Sequence, residues 1–244
     1  RVSAPPPRPL AGWDCDESSG EWMTSVVDGV KDLKLEGVTW RRGVKGRSLD
    51  FDGTARAIWT RHDDFEFTGD QMTFAAWIQT TKDGSIFSQT AAEGPWIHDG
   101  KTFFIRDGHL CFDIGWVGAV AGEQQITDGR WHHVAFTWNP WEARVVLYVD
   151  GKQDGDGTLN PGGPVENTVI QIGFTSENFP EEPWFSGYID GIRIYGDHFD
   201  AAGIDAIAAE SGEPLVTAYG LRGDLEAQFL IVESADMSGE FPVW

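Results

Sequence analysis

Four tryptophans sit where ligand-contacting side chains are often found, in turns and loops rather than in the middle of alternating runs. Trp96, Trp116, Trp141 and Trp184 each fall in or beside segments rich in Gly, Pro and acidic residues. An indole exposed there offers a flat face to the C–H groups of a sugar ring, while nearby polar groups take its hydroxyls. The same rings could equally cover the ends of a core.

Residues able to catalyse are harder to find. Retaining glycoside hydrolysis needs two carboxyls about 5 to 5.5 Å apart, and the nearest candidates, Asp63, Asp64 and Glu66 in DDFEF, read as a solvated loop. No nucleophile elbow, phosphate-binding glycine loop or haem-attachment motif occurs, and His62, His98, His109 and His198 lack the context of a triad. His132 and His133 are neighbours on an alternating run and point to opposite faces, so they cannot jointly chelate a metal and read as structural. Cys15 and Cys111 are the only cysteines, too few for a thiolate zinc cluster. One disulfide between them and two buried free thiols are both open.

The elements that must position these residues are short strands. The runs 72–80, 102–106, 109–114, 130–138, 144–150, 168–174 and 184–195 alternate with period two, as a pleated strand facing a core requires. Asp107-Gly108 and Asp150-Gly151 supply the residues a tight hairpin turn accepts most easily. One helix is expected over 201–210, capped by Asp200, with Ile204, Ile207 and Ala208 on one stripe and Gly212 ending it. Pro5, Pro6, Pro7 and Pro9 make residues 1–9 an extended arm. The organisation expected is one all-β domain over 10–212 and an extension at 213–244, including a strand at 226–232, that packs back on it because 32 residues are too few for a separate core.

The chain carries 18 Lys and Arg against 39 Asp and Glu, a net charge of −21. Such a field repels phosphate backbones and anionic lipid, so nucleic-acid and membrane-surface partners are disfavoured. Carboxylates in that excess can gather around a hard cation or simply solvate the surface. No apolar run approaches the roughly 20 residues that span a bilayer. The first ten residues, RVSAPPPRPL, lack a signal-peptide core and read as a mature or trimmed terminus.

Four segments in order, SLDFDG at 48–53, MTFAAWIQT at 72–80, GRWHHVAFTW through LYVDGK at 129–152, and FSGYIDGIRIY at 185–195, resemble the laminin G-like and pentraxin-like jelly roll of the concanavalin A-like class. The resemblance spans about residues 10–211 and implies a two-sheet antiparallel β-sandwich, secreted or displayed at a cell surface, that binds glycan without catalysis. It implies a structural calcium ion at Asp190, with Asp52 and Asp16 joining it; a hydrogen-bonded turn brace is the alternative for Asp190. By position it also implies a ligand rim built from 93–99 and 174–184. There Glu93, Asp99, Glu177, Asn178 and Glu181 would hold a cation that takes two sugar hydroxyls or an anionic group, between Trp96 and Trp184. The hydrolases of this class carry a Glu-x-Asp-x-x-Glu strand and the lyases a Gln-x-His strand; neither occurs here. The core disulfide of the pentraxins is absent too, so ring assembly is not implied. A structural or adhesive subunit that partners other proteins in an extracellular assembly is the second reading, and a hydrolase or lyase of the same fold the third.

Overall fold

The computed structural model describes residues 8–30, 32–60, 71–163, 165 and 167–211. Most of the proline arm, the DDFEF segment with its neighbour His62, and the extension with its expected strand lie outside the described residues. The described residues belong to one compact unit.

The chain opens with β1 (Ala11–Trp13), β2 (Trp22–Met23), β3 (Leu33–Glu36), β4 (Thr39–Arg42), β5 (Arg47–Asp52) and β6 (Arg56–Trp59). Longer strands follow: β7 (Met72–Gln79), β8 (Gly84–Ala91), β9 (Lys101–Arg106), β10 (His109–Ile114) and β11 (Gly118–Gln125). The remainder holds β12 (Trp131–Asn139), β13 (Arg144–Val149), β14 (Lys152–Thr158), β15 (Thr168–Ile172), β16 (Ser186–Tyr195) and the helix α1 (Ala201–Ser211). They form two antiparallel sheets. The first is ordered β14-β13-β12-β7-β16-β5-β4, with β1 also on β16; the second is β11-β10-β9-β8-β15-β6-β3-β2. This is the jelly-roll sandwich expected from the alternating runs.

Alternation sends one face of each sheet inward. Phe74, Phe87, Phe103, Phe112 and Phe136 meet there, with Phe112 4.7 Å and Phe103 5.3 Å from Phe136 between ring centres. Burying each such ring is worth about 1.5–3 kcal/mol. Both outer faces are also partly roofed. On the first sheet, Ile204 and Ile207 of α1 cover Ala75, Ala135, Tyr148 and Tyr195, and Asp200 Oδ1 accepts the Gly203 amide at the helix start, as expected. On the second, the segment after β15 folds back over a polar row. Thr175 bridges Thr102 and Ser85 through hydroxyl contacts of 2.8 and 2.6 Å, and Ser88 donates to the Phe174 carbonyl. Along one flank the two sheets clasp: Asp154 Oδ1 of β14 accepts the amides of Glu123 and Gln124 in β11 at 3.2 and 2.8 Å.

The disulfide alternative is corrected. Cys15 and Cys111 are free, buried thiols. Cys15 belongs to the core between the sheets, whereas Cys111 packs on the outer face of the second sheet with Trp96, Phe104 and Phe179, so a layer of strand separates them. The histidine pair divides as alternation requires. His132 lies between Asp150 and Asp128, at 2.9 and 3.2 Å, while His133 packs edge-on against Trp77.

Candidate functional site

The outer face of the second sheet opens into a cleft of about 380 Å³ lined by Glu36, Thr54, Arg56, Glu93, Phe174, Glu177 and Trp184, among others. Arg56, the first residue of β6, anchors it. Its Nε donates to Glu36 Oε2 at 2.9 Å, Nη2 to Glu93 Oε1 at 2.7 Å, and Nη1 to Gln171 Oε1 and the Ala92 carbonyl. Burial works against the guanidinium charge, yet the bonds to Glu93 and Glu36 raise its pKa overall. Lys34 beside Glu36 is the main reason that carboxyl titrates below the usual range.

The aromatic wall is layered. The Arg56 guanidinium carbon lies 5.5 Å from the centre of the Phe174 ring, and Trp184 packs on Phe174 at 4.0 Å with an angle of 32°. Such cation–π and ring contacts are each worth about 0.5–1.5 kcal/mol and fix the Trp184 plane. Thr54 is fixed from below, because Asp52 Oδ1 accepts from both its amide and its hydroxyl at 2.8 Å. Three carboxylates, Glu36, Glu93 and Glu177, thus share the cleft with one arginine that makes four hydrogen bonds. The arrangement suits neutral or cationic ligands with hydroxyl groups and repels anionic ones.

Only part of the expected rim is brought together. Glu93, Glu177 and Trp184 line the cleft, but four other residues do not. Trp96 is a correction: it is 7% exposed, with its ring 5.3 Å from Phe179. The glycine seats at Gly100 and Gly115 let it sink, since a Cβ on either would lie within about 3.2 Å of the indole. Asn178 accepts the Trp96 amide and so braces the loop. Glu181 pairs with Arg106 at 3.3 Å. Asp99 accepts the Gly162 amide and contacts His98, both at 2.9 Å. Burial opposes its charge, but these bonds hold its pKa low. Trp116 and Trp141, 69% and 76% exposed, stand apart at the end of the sandwich. Arg56, Glu36 and Thr54 were not readable from local sequence, and Phe174 was reached only as the first residue of the expected 174–184 rim. The one available signal was a charged residue opening the buried run ARAIW.

Of the three carboxylates expected to share calcium, Asp190 and Asp16 meet at one turn and Asp52 does not join them. Asp190 Oδ2 accepts the amides of Val44 and Lys45 at 2.8 and 3.3 Å, and Asp16 Oδ1 accepts the Arg47 amide, so both fasten the β4–β5 turn. In that turn a Cβ at Gly46 would fall 2.0 Å from Asp16, and one at Gly43 2.4 Å from Asp190. Asp52 faces Ser186 in the β16 register, about 13 Å along the strand from Asp190. Among the described residues no three His, Cys, Asp or Glu side chains are grouped to hold a metal ion. The turn-brace alternative accounts for Asp190. Burial raises its pKa to about 7, against the pull of the Lys45 and Val44 amides.

Residues 52–205 match the family model described as the Concanavalin A-like lectin/glucanases superfamily. The curated relatives include the rat "Sushi, von Willebrand factor type A, EGF and pentraxin domain-containing protein 1", 26% identical over 185 residues. The match covers 70% of this chain and 5% of that protein, so the chain spans a small part of its relative's length. Among solved structures, domain 4 of AbnA, a GH43 extracellular arabinanase from Geobacillus stearothermophilus in complex with arabinotriose, aligns with a TM-score of 0.65 and 16% identity. That alignment covers 84% of this chain and all of that one. The binding domain of Paraclostridial Mosquitocidal Protein 1 aligns at 0.61 with 13% identity, over 82% of this chain and 51% of that one. These likenesses show the same fold.

Proposed function

Because the chain belongs to the concanavalin A-like lectin/glucanase superfamily, we propose that it is a non-catalytic extracellular module that binds neutral glycan in the Arg56–Trp184 cleft. The observation that carries this reading is the Trp184–Phe174–Arg56 stack beside an open, hydroxyl-accepting pocket. The stack presents a pre-set ring for a sugar face, and Glu93, Glu177 and Thr54 surround it with acceptors and a hydroxyl. Support comes also from the AbnA domain of like fold, which was solved with arabinotriose. No helix among the described residues is long and apolar enough to cross a membrane.

The acids expected to ligate calcium, Asp190, Asp16 and Asp52, accept amide hydrogens of the chain. Calcium therefore enters the test as a variable. A glycan array probed with and without calcium, followed by titration with arabinotriose and the best array ligand, tests the reading. Loss of affinity in Trp184→Ala and Arg56→Met, with folding retained, is the expected result. Unchanged affinity in both removes the cleft from consideration.

A second reading, a structural or adhesive part of an extracellular assembly, draws on the match to a small fraction of a large multidomain relative. Sizing of the chain at micromolar concentration separates the two, because a free-standing module elutes as one monodisperse species.

A further inference from the structure

One end of the sandwich carries two exposed indoles that packing does not explain. Trp116 lies in the β10–β11 turn at φ 62° and is 69% exposed; Trp141 lies in the β12–β13 turn and is 76% exposed. A left-handed backbone suits Gly or Asn in a turn and costs a bulky residue free energy. Trp116 meets that cost with no compensating burial of its ring. Placing the largest apolar side chain there is a loss for folding alone, which is the pattern of strain held for a ligand.

The surface is organised rather than loose. The His98 ring lies parallel to Trp116, at 11° and 6.0 Å between centres. His98 is held by Asp99, which in turn grips the Gly162 amide. Backbone bonds join Asp99 to Gly115 and Leu159 to Ala143, so segments 97–100, 115–117, 140–143 and 159–162 meet at one end. Trp141 is set by its amide on Asn139 Oδ1 at 3.1 Å.

We propose that this end is a second glycan platform, on which Trp116, stacked on His98, and Trp141 each receive a sugar face of a neutral polysaccharide chain. It rests on the glycan-binding reading but not on the cleft. The ligand class follows from chemistry. Flat rings without a surrounding apolar patch suit C–H faces between hydroxyls better than a protein interface, which needs several hundred Å² of contiguous apolar surface. A chain of net charge −21 disfavours anionic polymers. Two platforms on separate turns fit an extended polymer better than one monosaccharide.

The test is native affinity electrophoresis through gels containing arabinan, xylan, galactan or β-glucan, with near-ultraviolet circular dichroism as the folding control. Trp116→Ala and Trp141→Ala should each weaken retardation roughly tenfold, the scale of one lost stacking contact. Trp116→Phe should restore most of it, and stands in if the alanine variant misfolds. Retardation by none of the four polymers, or equal retardation of the wild type and the double alanine variant, overturns the proposal. Loss in Trp184→Ala alone leaves the cleft and sinks this platform, whereas loss in the two turn variants alone does the reverse. Self-association abolished by the turn variants without polymer binding assigns the surface to a second copy of the chain and also overturns it.

Discussion

Asp190 Oδ2, on β16, accepts the backbone amide hydrogen of Val44 at 2.8 Å, tying the β4–β5 turn to a strand 146 positions away. The carboxyl that makes this tie is buried, and burial lifts its pKa to about 7. Unfolded, an aspartate titrates near about 3.9. Between those values the native state holds the extra proton, so the group's contribution to stability is fullest at low pH and is lost as the pH rises through about 7. Asp190→Asn keeps an acceptor and never ionises. Its melting temperature relative to wild type should therefore climb by several degrees or more from pH 4 to pH 7.5. Thermal melts in chelator measure this, and a flat difference across the range contradicts the assignment. His133 works in the opposite sense, since burial lowers its pKa to about 4 and favours the fold as the pH rises toward 6.5. It cancels in the difference between the two proteins.

Trp96→Ala and Trp184→Ala should separate packing from binding. Removing Trp96 empties a seat among Phe104, Cys111 and Phe179, and should cost about 3–5 kcal/mol of stability in a urea titration. Trp184→Ala removes a partly exposed ring from a cleft wall and should cost far less stability. Affinity for arabinotriose or the best array ligand should fall by about 1–3 kcal/mol in Trp184→Ala. Equal stability losses in the two variants count against this division.

Arg56→Lys is not conservative here. A lysine cannot reach Glu36, Glu93, Gln171 and the Ala92 carbonyl together, so two carboxylates lose a planar partner. Stability should drop by about 1–3 kcal/mol and glycan affinity at least tenfold. Wild-type-like melting and affinity in this variant would show that the four-way contact matters little.

Both thiols should be silent in the native protein. Burial pushes Cys111 up to about 11 and also raises Cys15 well above the ordinary thiol value, so neither offers thiolate at neutral pH. An aromatic disulfide reagent should titrate two thiols only after denaturation, and reductant should leave the melting temperature unchanged. A shift with reductant points to a bond.

Strands whose inner and outer faces differ in polarity were legible in the sequence. In β12 the alternation ran true, and β7, β9, β10 and β13 followed. Among the strands not read were β8, whose outer residues Ser85 and Ser88 are polar yet roofed by the segment after β15, and β14, where KQDGDGT reads as loop. Trp96 looked exposed because its neighbours Gly94, Pro95 and Asp99 are loop residues. Its burial depends on glycines at 100 and 115 that meet it only in three dimensions. Arg56 is recognisable only with Glu36 and Glu93, 20 and 37 positions away. No local pattern marks a salt bridge assembled by strand order.

The Asp154 clasp gives the molecule a sidedness. A strand edge with bare amides invites another chain to continue the sheet. Where β14 and β11 meet, one carboxylate already occupies two of those donors. At the opposite margin, among the described residues, the sheets end in β4 and β2. At Glu123 and Gln124 no strand from another chain can pair, so the clasp blocks sheet growth from the β14–β11 margin there.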